Sequence, residues 1–127
     1  MKFGTYIHEL LETIDFINPN LTNIDNFYKE KIKNFLNQEI LENIKEAKIY
    51  KEYEFIYESE NNEYHGIIDL MLEYNDHIDI IDYKLKNIEE KEYFNQLNGY
   101  KNYIETKTNK KTNIYLYSIL ENKIKKI

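Results

Sequence analysis

Two apolar, largely β-branched runs, residues 66–74 and 77–83, flank Asn75-Asp76 in this 127-residue chain. Both residues of that pair tolerate positive φ and suit a two-residue hairpin loop. Such a loop sets the register: Tyr74 faces His77, Met71 faces Ile80 and Asp69 faces Asp82. Upstream, residues 4–14 place Ile7, Leu10, Leu11 and Ile14 at helical spacing. Asn18-Pro19-Asn20 then breaks the chain, and Thr22 or Asn23 caps a second helical region reaching to about residue 47. Its buried stripe is Phe27, Tyr28, Ile32, Phe35, Leu36, Ile40, Leu41 and Ile44. Residues 48–58, rich in aromatic and β-branched side chains, read as a first strand joined to the hairpin by a polar turn at 59–63. Residues 92–105 form a helix with Tyr93, Leu97, Tyr100 and Ile104 facing inward. Strands at 113–120 and 123–127 follow a lysine-rich loop. The expectation is one α/β domain over residues 1–127, with a central mixed sheet, αβββαβ order and flanking helices, built on an antiparallel meander from 48 to 83.

The hairpin register has a chemical consequence. Facing residues of an antiparallel pair have Cβ atoms roughly 4.5–5.5 Å apart, so Asp69 and Asp82 would repel. Lys84 shares their face by alternation. A divalent cation held by the two aspartates, with Lys84 beside it, would relieve the repulsion, and carboxylate oxygens suit Mg²⁺ or Mn²⁺. The alternative is that both aspartates sit at strand ends and face water. Glu52 and Glu54 of the first strand share that face; either one joins the carboxylates, or both lie on its wet side. His8, at the edge of the first helix's apolar face, is either a boundary residue or a ligand. Gln96 and Tyr100, four apart on a helix, present an amide and a phenol on one side, or are simply a surface glutamine and a core tyrosine.

Composition narrows the partners. The net charge is −6, the wrong sign for holding nucleic acid by charge alone, so such a role needs bound metal, local lysines or a partner. Lys107, Lys110, Lys111, Lys123, Lys125 and Lys126 make a basic end that either meets a phosphate backbone or solvates a loop. All 17 basic residues are lysine, a bias pointing to an AT-rich coding sequence more than to function. There is no cysteine, which excludes thiolate zinc sites and iron–sulfur clusters within these residues. No apolar run approaches the ~20 residues of a membrane span and no signal peptide is evident, so the expected setting is cytoplasmic.

In order, Gly4-Thr-Tyr-Ile-His8-Glu-Leu-Leu-Glu12, Glu52-Tyr-Glu-Phe55, Gly66-Ile-Ile-Asp69-Leu70, Asp82-Tyr-Lys84 and Gln96-Leu-Asn-Gly-Tyr100 span nearly the whole chain. Together they resemble the PD-(D/E)xK nuclease superfamily, and within it the RecB/AddA-type nuclease domain of bacterial helicase-nucleases. Two positions depart from the family pattern: Glu54 stands where proline is usual, and Leu85 where threonine is common. The resemblance implies a restriction-endonuclease-like core and a metal-dependent deoxyribonuclease hydrolysing phosphodiester bonds. It implies Mg²⁺ or Mn²⁺ bound by His8, Asp69, Asp82 and the carbonyl of Tyr83, with Glu52 matching the first-strand glutamate. Lys84 would position the attacking water, and Gln96 and Tyr100 would contact a DNA strand, single-stranded at the active site. The implied setting is the nuclease part of an AddA-type protein in double-strand-break repair, working with a helicase portion of the same protein or a partner subunit. The alternatives are a stand-alone nuclease of the superfamily and an inactive nucleic-acid-binding or scaffold domain. The chain is accordingly expected to be a domain excised from a longer protein.

Overall fold

Five strands form one mixed sheet in the order β1-β2-β3-β4-β5, in a computed structural model that describes residues 3–86 and 88–127. The elements run α1 (Phe3–Thr13), α2 (Asn26–Leu36), two single-turn 3-10 helices (Glu39–Leu41 and Ile44–Glu46), β1 (Lys48–Ser59), β2 (Asn62–Glu73), β3 (His77–Lys84), α3 (Lys91–Thr108), β4 (Lys111–Ser118) and β5 (Lys123–Lys126). β1, β2 and β3 are an antiparallel meander; α3 carries the chain to β4, which lies parallel to β3, and β5 returns antiparallel. The αβββαβ order and mixed sheet expected from the sequence are present. No helix among the described residues is long and apolar enough to cross a membrane.

Two apolar layers sandwich the sheet. On one face Ile7 and Leu11 of α1, Ile14 just beyond it, and Ile32 and Phe35 of α2 pack on Leu70, Leu72, Ile81, Tyr83 and Tyr117. On the other, Leu97, Tyr100 and Ile104 of α3 pack on Phe55, Ile68, Met71, Ile78, Ile80 and Leu116. The strand alternation and the helical stripes of the sequence thus meet as one core on each side.

The expected long second helix ends early. α2 begins after Asp25, not Thr22 or Asn23, and stops at Leu36. Beyond it Leu41 closes the first 3-10 turn and Ile44 opens the second, and both are buried in the same apolar layer as α2.

Both hairpin loops contain two residues, by different geometry. Glu60 and Asn61 have φ of 52° and 66°, the left-handed pair of a type I′ turn. Asn75 and Asp76 lack positive φ, contrary to the reason given for choosing them, and the loop is closed by the Tyr74 N–H donating to the His77 carbonyl at 2.9 Å. The register is nonetheless the expected one: Met71 pairs with Ile80 and Leu70 with Ile81.

A local fault runs across β1 and β2. Tyr50 and Tyr53 both pack on the α3 side, as do Ile68 and Met71, although residues three apart in a regular strand point to opposite faces. The paired positions pass from Lys51↔Leu70 to Tyr53↔Ile68, omitting Glu52 and Asp69, and Glu52 has φ of 50°. Both strands change phase at the same step, so the overall register survives. A non-glycine residue in this conformation is strained and persists only where its surroundings enforce it.

Gly66 has a steric cause in the same hairpin. The Phe55 ring lies across it, and a Cβ built there would stand 2.8 Å from Phe55 Cε1. Gly66→Ala is expected to cost roughly 1–3 kcal/mol by overpacking. Urea unfolding midpoints should show this, with most of the loss recovered when Phe55→Leu is added.

Candidate metal centre

α1 is fastened over the fault in the sheet. Lys51, half-buried, donates from Nζ to the Ile14 carbonyl at the end of α1 and lies 4.3 Å over the Phe16 ring. Burial pulls the Lys51 amine below its ordinary pKa, against the pull of Asp15 and Glu12. At the other end of α1, a Cβ on Gly4 would stand 3.0 Å from Leu85 Cδ1, so glycine lets the helix approach the end of β3.

This docking brings His8 to the carboxylates. Its Nε2 lies 3.7 Å from Asp69 Oδ2 and its Nδ1 3.9 Å from Glu52 Oε1. One donor atom from each of His8, Glu52 and Asp69 falls within 4.8 Å of the others, a separation a single cation can span. The His8 ring also meets Tyr83 edge-on, with centroids 5.4 Å apart. The three groups come from α1, β1 and β2. Glu54, the other first-strand candidate, points away and pairs with His65 at 3.4 Å on the surface.

Asp69 takes a position the ladder has vacated. Its Oδ2 accepts the Tyr83 N–H at 2.8 Å, closing the β2–β3 pair just past Leu70↔Ile81. Burial first, then the charge of Asp82, pushes the Asp69 carboxyl up to about 8, against the Tyr83 N–H that favours the ionised form. Asp82, 8% exposed, is the strongest charged influence on Asp69, yet its carboxylate turns toward Lys84, whose Nζ lies 3.0 Å from Oδ2. The structure thus joins His8 to Asp69 and Glu52, and Asp82 to Lys84, in two adjoining groups. Lys84 also lies 4.3 Å over the Tyr93 ring. Burial lowers its amine, but Asp82 more than offsets this and leaves the pKa raised, so Lys84 stays charged.

Tyr83 is buried on the α1 side of β3 and lines the cleft of about 600 Å³ that holds His8, Glu52 and Lys84. Tyr100 is 5% exposed and packs edge-on against Phe55, while its phenol meets the Ile67 backbone and feels the charges of Asp82 and Lys84. Gln96 is exposed on α3. Sequence reasoning passed over Glu12, which lines the same cleft and, after burial, is the strongest influence raising Glu52. It follows His8 by four positions, and that helical spacing was a readable signal.

Most of the lysine-rich end is engaged internally. Lys107 bonds Tyr53, Lys110 bonds Glu73 and the Tyr74 carbonyl, Lys123 pairs with Glu121 and Lys125 with Glu89. These contacts favour the structural alternative over a ready phosphate-binding surface.

The site therefore concentrates carboxylates around one imidazole and one ammonium, a donor set suited to a hard divalent cation. Scanned against protein-family models the chain gives no match, and a search of curated proteins gives none either.

The raised Asp69 pKa has a stability consequence. The native state holds this proton more tightly than the unfolded chain, so the contribution is present below the ordinary carboxylate range near pH 4 and is lost as pH rises toward about 8. In chelator, wild type is expected to lose stability relative to Asp69→Asn between pH 5 and pH 8, because the amide oxygen still accepts the Tyr83 N–H without carrying charge. Urea midpoints of the two proteins at the two pH values measure it.

Proposed function

We propose that this chain is a divalent-metal-dependent deoxyribonuclease with a restriction-endonuclease-like core, of the PD-(D/E)xK type resembling RecB/AddA nuclease domains. The observation that carries the reading is the convergence of His8, Glu52 and Asp69 from three separate elements, with Asp82 and Lys84 alongside. Structural needs alone do not call for carboxylates crowded at a strained strand position.

His8, Glu52, Asp69 and Asp82 would hold Mg²⁺ or Mn²⁺, with the Tyr83 carbonyl as a further oxygen. Such an ion supplies a Lewis acid for a phosphate oxygen and lowers the pKa of a bound water. The chain's own residues do the rest. The Tyr83 N–H orients Asp69, and the strained Glu52 backbone aims its carboxylate at the same point. Lys84, held charged beside Asp82, places fixed positive charge where a scissile phosphate gains negative charge. Tyr100, bonded to the Ile67 backbone, stays within reach of the Asp82 and Lys84 charges, and exposed Gln96 on the same helix would meet a strand of DNA. DNA as substrate, a cytoplasmic setting and service within an AddA-type helicase-nuclease during break repair belong to the same reading.

The test is digestion of single- and double-stranded DNA with Mn²⁺ or Mg²⁺, alongside thermal melting. Wild type should cut only with metal and melt higher in it, the stability gain being about 2.7 kcal/mol at a hundredfold excess over Kd. Asp82→Asn should lose cleavage and most of the metal-induced stabilisation. Lys84→Ala should keep that stabilisation while cleavage falls on the order of 100- to 1000-fold. Wild type that neither cuts DNA nor gains stability from saturating Mn²⁺ defeats the proposal.

A further inference from the structure

At the other end of β3 from Asp82, a cavity of about 730 Å³ opens between the two 3-10 helices and the start of β3 and β4. Nothing in the proposed hydrolysis uses it. Its floor is the sheet itself: Asp79 and Asn113 are ladder partners, and Asn113 Nδ2 donates to Asp79 Oδ1 at 3.1 Å. The Asp79 side chain is 6% exposed, yet Oδ2 accepts no hydrogen bond among the described residues; His77 Nε2 stands 3.5 Å away. Asp79 lines the cavity, and that oxygen keeps acceptor capacity for an incoming donor.

The walls supply flat rings and further negative charge. Tyr74 stacks on His77 with centroids 4.6 Å apart and planes 12° from parallel, and Tyr115 rises from β4 beside Asn113. Glu39, Glu46 and Asp76 add three carboxylates to the lining, of which Asp76 Oδ1 already meets His77 Nδ1 at 2.7 Å. Burial and then the Asp79 charge raise the phenols of both Tyr74 and Tyr115, which places that charge within reach of both rings. Lys110, near the rim, is already engaged by Glu73 and the Tyr74 carbonyl.

We infer that this cavity binds a guanidinium group brought by another molecule, seated on Asp79 and laid against the rings of the wall. A guanidinium is planar, weakly hydrated and forked, so it can pair with a carboxylate while stacking on aromatic faces. An ammonium meets the charge but not the flat walls, and the four carboxylates oppose any phosphate-bearing ligand. The 127 residues contain no arginine, so the group comes from outside them.

NMR titration of the whole chain at fixed ionic strength with N-acetyl-arginine amide tests this, beside the lysine analogue, guanosine and a capped Gly-Arg-Gly peptide. Saturable binding should move the Asn113 side-chain amide and the Tyr115 ring, with the lysine analogue at least tenfold weaker. Asp79→Asn should weaken binding at least tenfold and Glu46→Gln severalfold. If the Asp79 variant loses its native spectrum, the exposed Glu46 variant decides. Tighter binding of the peptide than of the amide identifies an arginine of a partner chain, and the reverse a small guanidino compound; both support the inference. Equal binding of the lysine analogue, tighter binding of guanosine, no saturation at millimolar ligand, or binding unchanged in the deciding variant overturns it.

Discussion

The shared phase change in β1 and β2 is the constraint on which the candidate site depends. Had the strands alternated regularly through Glu52 and Asp69, those two residues would have kept their ladder pairing and could not have turned as they do toward α1. Because both strands slip together, Phe55 and Ile68 on one side of the fault and Tyr50 and Met71 on the other still reach the α3 layer. Asp69 is freed to close the β2–β3 pair through the Tyr83 N–H. The sheet gives up one pair of backbone partners and gains a convergence of charged side chains at that point. That exchange is characteristic of sites where local strain is balanced by the packing around it.

Electrostatics and packing are coupled at the same place. Asp69 and Asp82 lie close across β2 and β3, and burial together with the Asp82 charge raises the cost of ionising Asp69. The protein answers on two sides, with Lys84 against Asp82 and His8 against Asp69 and Glu52. Neither answer is complete, since the cluster still holds more carboxylates than cationic partners. A centre with remaining negative charge, one nitrogen donor and several oxygens is the chemistry on which the nuclease reading rests.

What could be read beforehand followed from periodicity. The stripe of Ile7, Leu11 and Ile14, the hairpin register and hence the Asp69–Asp82 neighbourhood were legible because burial on one face punishes a one-residue slip. The Asn75-Asp76 loop came out with the right length for the wrong reason. The end of α2 was hidden because Leu41 and Ile44 continue an apolar stripe that a 3-10 turn serves as well as a helix. The choice between Glu52 and Glu54 was not legible from periodicity, since strict alternation assigns both to one face and only the fault separates them. The internal contacts of the lysine-rich end were not legible for a different cause: their partners, Tyr53, Glu73, Glu89 and Glu121, are mostly distant in sequence.

The Lys51 clasp on the end of α1 has a consequence for how the domain comes into being. α1 is synthesised before the strands that receive it, since that surface is built from β1, β2 and β3, and the oxygen that fastens it waits for a lysine from β1. Until that meander has formed, His8 has no carboxylate beside it, and non-local closures of this kind come late because chain entropy must be overcome first. A nascent or partly folded chain therefore carries a free imidazole and scattered acids instead of an assembled centre, so any chemistry the centre performs is withheld until the sheet is in place.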